Sequence, residues 1–128
     1  MSDLSRAAID AADPGKMIDD VLAQPDQLAD AVWRAESAGF PRSTSEPIVA
    51  GMGGSAIGGN LAAAITGRAI RTVRDYDLDA GPDDLVLCAS YSGDTEETLA
   101  CFESAGAAGA ARAVVTTGGE LGEAARAA

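Results

Sequence analysis

The sequence predicts an α/β domain built on a doubly wound parallel sheet, on three observations. After residue 44, short apolar runs alternate with Ala-rich segments of helical length. One run, Leu85-Val86-Leu87-Cys88-Ala89, is apolar at every position, as expected of a strand covered on both faces. Each junction between an apolar run and the following helix carries Gly, Ser or Thr, residues that open turns and cap helices.

The first forty residues read as helix. Met17 and Val21, then Leu28 and Val32, recur at spacings of four; Pro14 and Pro25 stand where helices begin, and Gly39 serves as a stop. Helices are predicted over 4–12, 16–23 and 26–37, followed by a linker over 40–45 marked by Pro41 and three hydroxyl residues. The expected organisation is a helical segment, 1–43, and an α/β domain, 44–128. In the latter, strands are predicted over 47–50, 70–74, 85–89 and 113–116, with helices over 56–66, 95–104 and from Glu120 onward. Trp33 and Phe102 are expected in the core, and Arg68, Arg71 and Arg74 as exposed charges near strand ends. Four strands make a small sheet, and the last helix ends in Ala-Ala without a cap or a return strand. The expectation is a truncated domain with an exposed edge and an uncovered apolar face, hence weakly stable or self-associating.

Composition narrows the function. The 128 residues carry 20 Asp and Glu against 9 Lys and Arg, a formal net charge of −11. Such a field repels polyanions, so a nucleic-acid partner is not expected. A small anion is still admissible, because backbone N–H groups and hydroxyls bind phosphate without net positive charge. Of the apolar residues 28 are Ala, as many as Val, Ile, Leu, Met, Phe and Trp together, so the 47% hydrophobic content overstates the core. The absence of His removes His-based acid–base chemistry and His metal sites. Cys88 and Cys101 match no metal or redox spacing and are expected to be free, buried thiols. No apolar run approaches the roughly 18 residues of a membrane span and no secretory h-region follows Met1, so a cytoplasmic protein is expected. Neither a metal nor a cofactor is expected.

Three junctions carry the candidate chemistry, and in an open parallel sheet they converge beyond the carboxyl ends of the strands. They are Gly51-Met52-Gly53-Gly54-Ser55-Ala56-Ile57-Gly58-Gly59, Ser90-Tyr91-Ser92-Gly93-Asp94-Thr95-Glu96-Glu97-Thr98 and Thr116-Thr117-Gly118-Gly119. The first also fits a dinucleotide fingerprint through Gly51, Gly53 and Ala56, with Asp75 placed to hold a ribose. Its glycines serve equally for a tight turn and close helix packing. The second offers the hydroxyls of Ser90, Ser92, Thr95 and Thr98 ahead of a helix whose first N–H groups are free, an arrangement suited to a dianionic phosphate. An ordinary helix cap by Ser92 or Asp94, with Glu96 and Glu97 favoured by the helix dipole, is the simpler reading of the same residues.

Together the motifs resemble those of the bifunctional phosphoglucose/phosphomannose isomerase family, built from sugar isomerase (SIS) domains. Asp10, Met17-Ile18, the segment from Gln24 to Gln27 and Arg74-Asp75-Tyr76 extend the resemblance over nearly the whole chain. It implies a nucleotide-binding-like α/β sandwich that interconverts glucose 6-phosphate or mannose 6-phosphate with fructose 6-phosphate. Gly53 and Ser55 would approach the substrate, and Ser90, Ser92 and Thr95 would cradle its phosphate; a homodimer is also implied. Two positions depart from the family pattern: Asp94 stands where Asn is usual, and Asn60 where Asp is usual. An Asp94 turned into the site would repel phosphate, whereas one turned outward would cap a helix.

Isomerisation needs ring opening, a base that moves a proton between C1 and C2, and stabilisation of the enediolate. In the family the proton-transfer Glu, the ring-opening His and an active-site Arg lie further downstream, partly in a second SIS domain. The resemblance therefore implies an N-terminal portion that anchors phosphate and lacks the acid–base residues. No catalytic residue is assigned within this chain. The alternatives are a non-catalytic sugar-phosphate-binding SIS module and a Rossmann-type dinucleotide binder.

Overall fold

The computed structural model describes residues 5–41 and 43–128. Two compact units divide at residue 40.

The first unit holds α1 (Arg6–Ala12), α2 (Met17–Leu22) and α3 (Gln24–Ala38). Ser5 caps α1, accepting the Ala8 N–H at 3.3 Å, and Asp13 accepts the Ile18 N–H at 2.8 Å where α2 begins. Hydrogen bonds from the Ile18 and Met17 backbone N–H groups hold the Asp13 carboxyl below its ordinary pKa. Gly39, in the left-handed region at φ 64°, ends α3 as predicted. Leu4, the first residue of the predicted helix 4–12, lies outside the described residues. No residue of these three helices is buried. The expectation that Trp33 is a core residue is overturned: it is 63% exposed, because the three helices of this unit bury no residue between them.

The second unit is β1 (Ile48–Gly51), α4 (Gly53–Thr66), β2 (Arg71–Val73), β3 (Leu85–Ala89), α5 (Glu96–Ala107), β4 (Ala111–Val115) and α6 (Gly119–Ala127). The four strands pair in parallel in the order β2-β1-β3-β4. From β1 the chain steps through α4 to β2 on one side; from β3 it steps through α5 to β4 on the other. Right-handed crossovers in opposite directions place their helices on opposite faces, which makes the sheet doubly wound as predicted.

Alternation along the strands sorts the side chains. Ile48, Ala50, Val86 and Cys88 form the core with Cys101, Phe102 and Ala105 of α5 and Leu121 of α6. Phe102 is a core residue as expected, and its ring lies 4.2 Å from the Arg112 guanidinium carbon. On the opposite face α4 packs over β1 and β2, where Gly59 lets the helix approach Val49: an added Cβ would stand 3.0 Å from Val49 Cβ and 3.1 Å from Thr72 Oγ1. Asn60 is bonded there too, accepting from Thr72 Oγ1 at 2.8 Å. The expectation that β3 is covered on both faces holds for one of them. Val86 and Cys88 are buried, but Leu85, Leu87 and Ala89 are only half-buried. α4 stands over the first two strands and leaves that side of β3 open. On its own outer face α4 exposes Ile57, Leu61 and Ile65. Arg68, Arg71 and Arg74 are exposed, as expected.

Cys88 and Cys101 are free and buried. Burial raises both thiol pKa values, that of Cys88 to about 12. Among the described residues no helix is long and apolar enough to cross a membrane.

Candidate functional site

β1 and β3 are adjacent, yet the chain leaves them in opposite directions, so the carboxyl edge between them is the topological switch point where open α/β sheets form their crevice. Each of α4, α5 and α6 directly follows a strand, so its N-terminus lies at this edge. An uncapped helix N-terminus presents free N–H groups and a partial positive charge. The capacity of the site to hold an anion therefore depends on which N-termini are already occupied by protein acceptors.

That of α6 is occupied. Glu120 N–H donates to Asp94 Oδ1 at 3.0 Å, and Leu121 N–H to the Gly93 carbonyl at 2.9 Å. The two loops meet at glycines. Gly93 has φ +83°, and a Cβ there would collide with the Gly118 carbonyl. Gly119 has φ +66°, and a Cβ there would collide with the Ser92 carbonyl and stand 2.5 Å from Asp94 Oδ1. Asp94 thus caps a helix, though the helix is α6 rather than the one that its own loop begins.

α4 and α5 are open. Met52 precedes α4 and Thr95 precedes α5, and neither side chain caps its helix. The Glu96, Glu97 and Thr98 N–H groups have no acceptor among the described residues, nor does the Ser92 N–H. Instead of capping α5, Thr95 Oγ1 lies 2.8 Å from Ser90 Oγ, which accepts the Gly93 N–H at 3.1 Å. Ser90 is buried and organises the loop from within. Ser92 is exposed, and its Oγ accepts the Asp94 N–H at 3.2 Å. Thr98 Oγ1, in the first turn of α5, is buried with no hydrogen-bond partner among the described residues.

A cavity of about 290 Å³ opens between the junctions, lined by Ser55, Ala89, Ser90, Tyr91, Val115, Thr116 and Thr117. Of the residues expected at the site, Ser55 and Ser90 line this cavity. Ser92 and Thr95 lie on the same β3–α5 loop, and Gly53, exposed at φ +49°, opens α4. Sequence reasoning assigned no role to Tyr91 and none individually to Thr116 or Thr117. Their place in the lining follows from the pairing of β3 with β4, which only the Thr116-Thr117-Gly118-Gly119 junction hinted at.

Glu96 and Glu97 occupy the first turn of α5, where acids are favoured. Tyr76 Oη donates to Glu96 Oε2 at 3.3 Å, and the nearby carboxylates, Glu97 foremost, raise the phenol pKa. Asp75, the candidate ribose ligand of the dinucleotide reading, accepts the Tyr76 N–H at 2.7 Å. Among the described residues no cluster of three or more potential metal ligands forms.

No protein-family model matches the chain. The chain is similar to three proteins named bifunctional phosphoglucose/phosphomannose isomerase. It is 45% identical over 82 residues to that of Caldicellulosiruptor bescii, 41% over 86 residues to that of Aquifex aeolicus and 39% over 77 residues to that of Thermoplasma volcanium. These matches span 58–62% of this chain, less than the near-complete resemblance expected, and 24–27% of the relatives. The chain thus spans about a quarter of the length of the relatives it matches. A solved structure, tagatose-6-phosphate ketose/aldose isomerase from Escherichia coli, shares the fold with a TM-score of 0.57 at 22% identity, over 84% of this chain and 33% of that one. By these sequence matches, the chain is similar to the bifunctional phosphoglucose/phosphomannose isomerases over about 60% of its own length.

Proposed function

We propose that this chain is the phosphate-anchoring, N-terminal portion of an aldose–ketose isomerase that interconverts glucose 6-phosphate or mannose 6-phosphate with fructose 6-phosphate. The observation that carries the reading is the difference between neighbouring helices: α6 is filled by Asp94 and the Gly93 carbonyl, while α5 is left open beside Ser92 and Thr95. A phosphate dianion supplies the missing acceptors. Its oxygens take the N–H groups of Ser92, Glu96, Glu97 and Thr98, with hydroxyls from Ser92 and Thr95, while Gly53 and Ser55 approach from the α4 side. This mode needs no Lys or Arg, which accounts for phosphate binding by a chain of net charge −11.

Binding alone does not isomerise. The proton must move between C1 and C2, and this chain has no His to open the ring. The acid–base groups are assigned to segments beyond this chain, within the three quarters of the relatives' length that it does not span. A cytoplasmic location is supported by the two free thiols. A homodimer belongs to the same proposal.

A thermal-shift titration with fructose 6-phosphate, glucose 6-phosphate and mannose 6-phosphate tests the reading, with inorganic phosphate, NAD and mannitol alongside. Ligands of the native state raise Tm by mass action. The expected result is a shift with the sugar phosphates, a smaller one with inorganic phosphate and none with mannitol or NAD. A shift with NAD alone would favour the dinucleotide reading. A cooperative melt unmoved by any phosphate would overturn the anchor.

A further inference from the structure

We infer that Thr117 is a positioning residue for the phosphate site, acting through the Tyr91 carbonyl; the inference rests on the anchor reading above. The Tyr91 oxygen accepts twice from this one residue, from Thr117 Oγ1 at 2.7 Å and from Thr117 N–H at 3.2 Å. A carbonyl gripped at both lone pairs is fixed in direction, since turning the peptide plane would break both bonds.

The consequence falls on the next residue. No cis peptide bond is present among the described residues, and in a trans peptide the N–H points opposite to the C=O. With the Tyr91 carbonyl directed at the β4–α6 loop, the Ser92 N–H is directed away from it. The strand order β1-β3-β4 puts the β1–α4 junction, with Ser55, on that other side. The Ser92 N–H has no acceptor there among the described residues. Thr117 therefore orients this backbone donor through the Tyr91 peptide.

The residue type matters in a testable way. Thr117→Val preserves shape and the backbone bond but removes the hydroxyl, leaving the peptide one restraint of its two. Thr117→Ser keeps both.

The experiment follows the ¹⁵N-labelled full chain by NMR during titration with fructose 6-phosphate and with inorganic phosphate, in unsubstituted, Thr117→Val and Thr117→Ser forms. Thr117→Val is expected to weaken both ligands roughly threefold to tenfold, and Thr117→Ser by less than about twofold. The Ser92 amide resonance should move on phosphate addition, and should already be displaced in free Thr117→Val. Thr117→Val binding like the unsubstituted chain, with the Ser92 amide unmoved, overturns the inference and leaves the anchor reading intact. No binding by the unsubstituted chain overturns the anchor reading, and the inference with it. If Thr117→Val does not fold, the scalar coupling across the hydrogen bond between Thr117 N and the Tyr91 carbonyl carbon, measured in the unsubstituted chain, decides. Its presence supports the clamp and its absence overturns it.

Discussion

The Asp94 carboxylate accepts the Glu120 N–H at 3.0 Å, so an acid in the β3–α5 loop caps the helix that follows β4. This contact spends the N-terminus of α6 on the protein itself and leaves that of α5 without a carboxylate cap. Asp94→Ala is expected to destabilise the chain by about 1 kcal/mol, the worth of an N-cap, while Asp94→Asn keeps an acceptor and loses only a few tenths of that. Urea unfolding measures both. Because the carboxylate is committed to α6, Asp94→Asn should change the affinity for fructose 6-phosphate by less than about threefold.

Ser92→Ala separates binding from stability. The side chain is exposed and its one bond among the described residues is the 3.2 Å contact from the Asp94 N–H, so the melt should move little. Loss of a hydroxyl donor to a phosphate dianion costs about 1.5–3 kcal/mol, which corresponds to at least a tenfold weaker Kd by calorimetry.

The adjacent glycines 58 and 59 should respond oppositely to Ala. A Cβ at Gly58 meets nothing within 4 Å, so Gly58→Ala should stabilise α4 by roughly 0.5–1 kcal/mol through helix propensity. A Cβ at Gly59 stands 3.0 Å from Val49, and overpacking there should cost about 1–3 kcal/mol. Chemical denaturation of the two variants checks the sign of each.

Gly93→Ala should be the most damaging single substitution at the site. It combines a left-handed φ of +83° with a collision against the backbone of Gly118, which cannot swing aside as a side chain could. A loss of at least about 3 kcal/mol is expected, read as a fall in the urea midpoint.

Alkaline pH should unfold the chain partly through Cys88. Its thiol pKa is raised by burial from 9.0 to about 12, so between those values the unfolded chain ionises while the folded chain does not. The stabilisation is full below pH 9 and is lost as pH rises toward 12. Within that window the slope per buried thiol is about 1.4 kcal/mol per pH unit. Cys88→Ala should flatten the pH dependence of the urea midpoint. The native thiols should react with Ellman's reagent at pH 8 only as fast as the chain opens.

Local patterns in the sequence determined the alternation of strand and helix, the parallel class, the core place of Phe102 and the burial of both cysteines. They also marked the three junctions, because glycine and hydroxyl residues at strand ends reflect backbone needs that act within a few residues. Tertiary structure alone decided that Trp33 is exposed, that one face of β3 is half-open and that Asp94 turns to α6. Apolar periodicity shows which face of an element seeks cover, but not whether another layer supplies it. The orientation of a loop carboxylate is likewise set by the nearest free donor in space. For Asp94 that donor lies 26 residues along the chain and is brought within reach only when β3 and β4 pair.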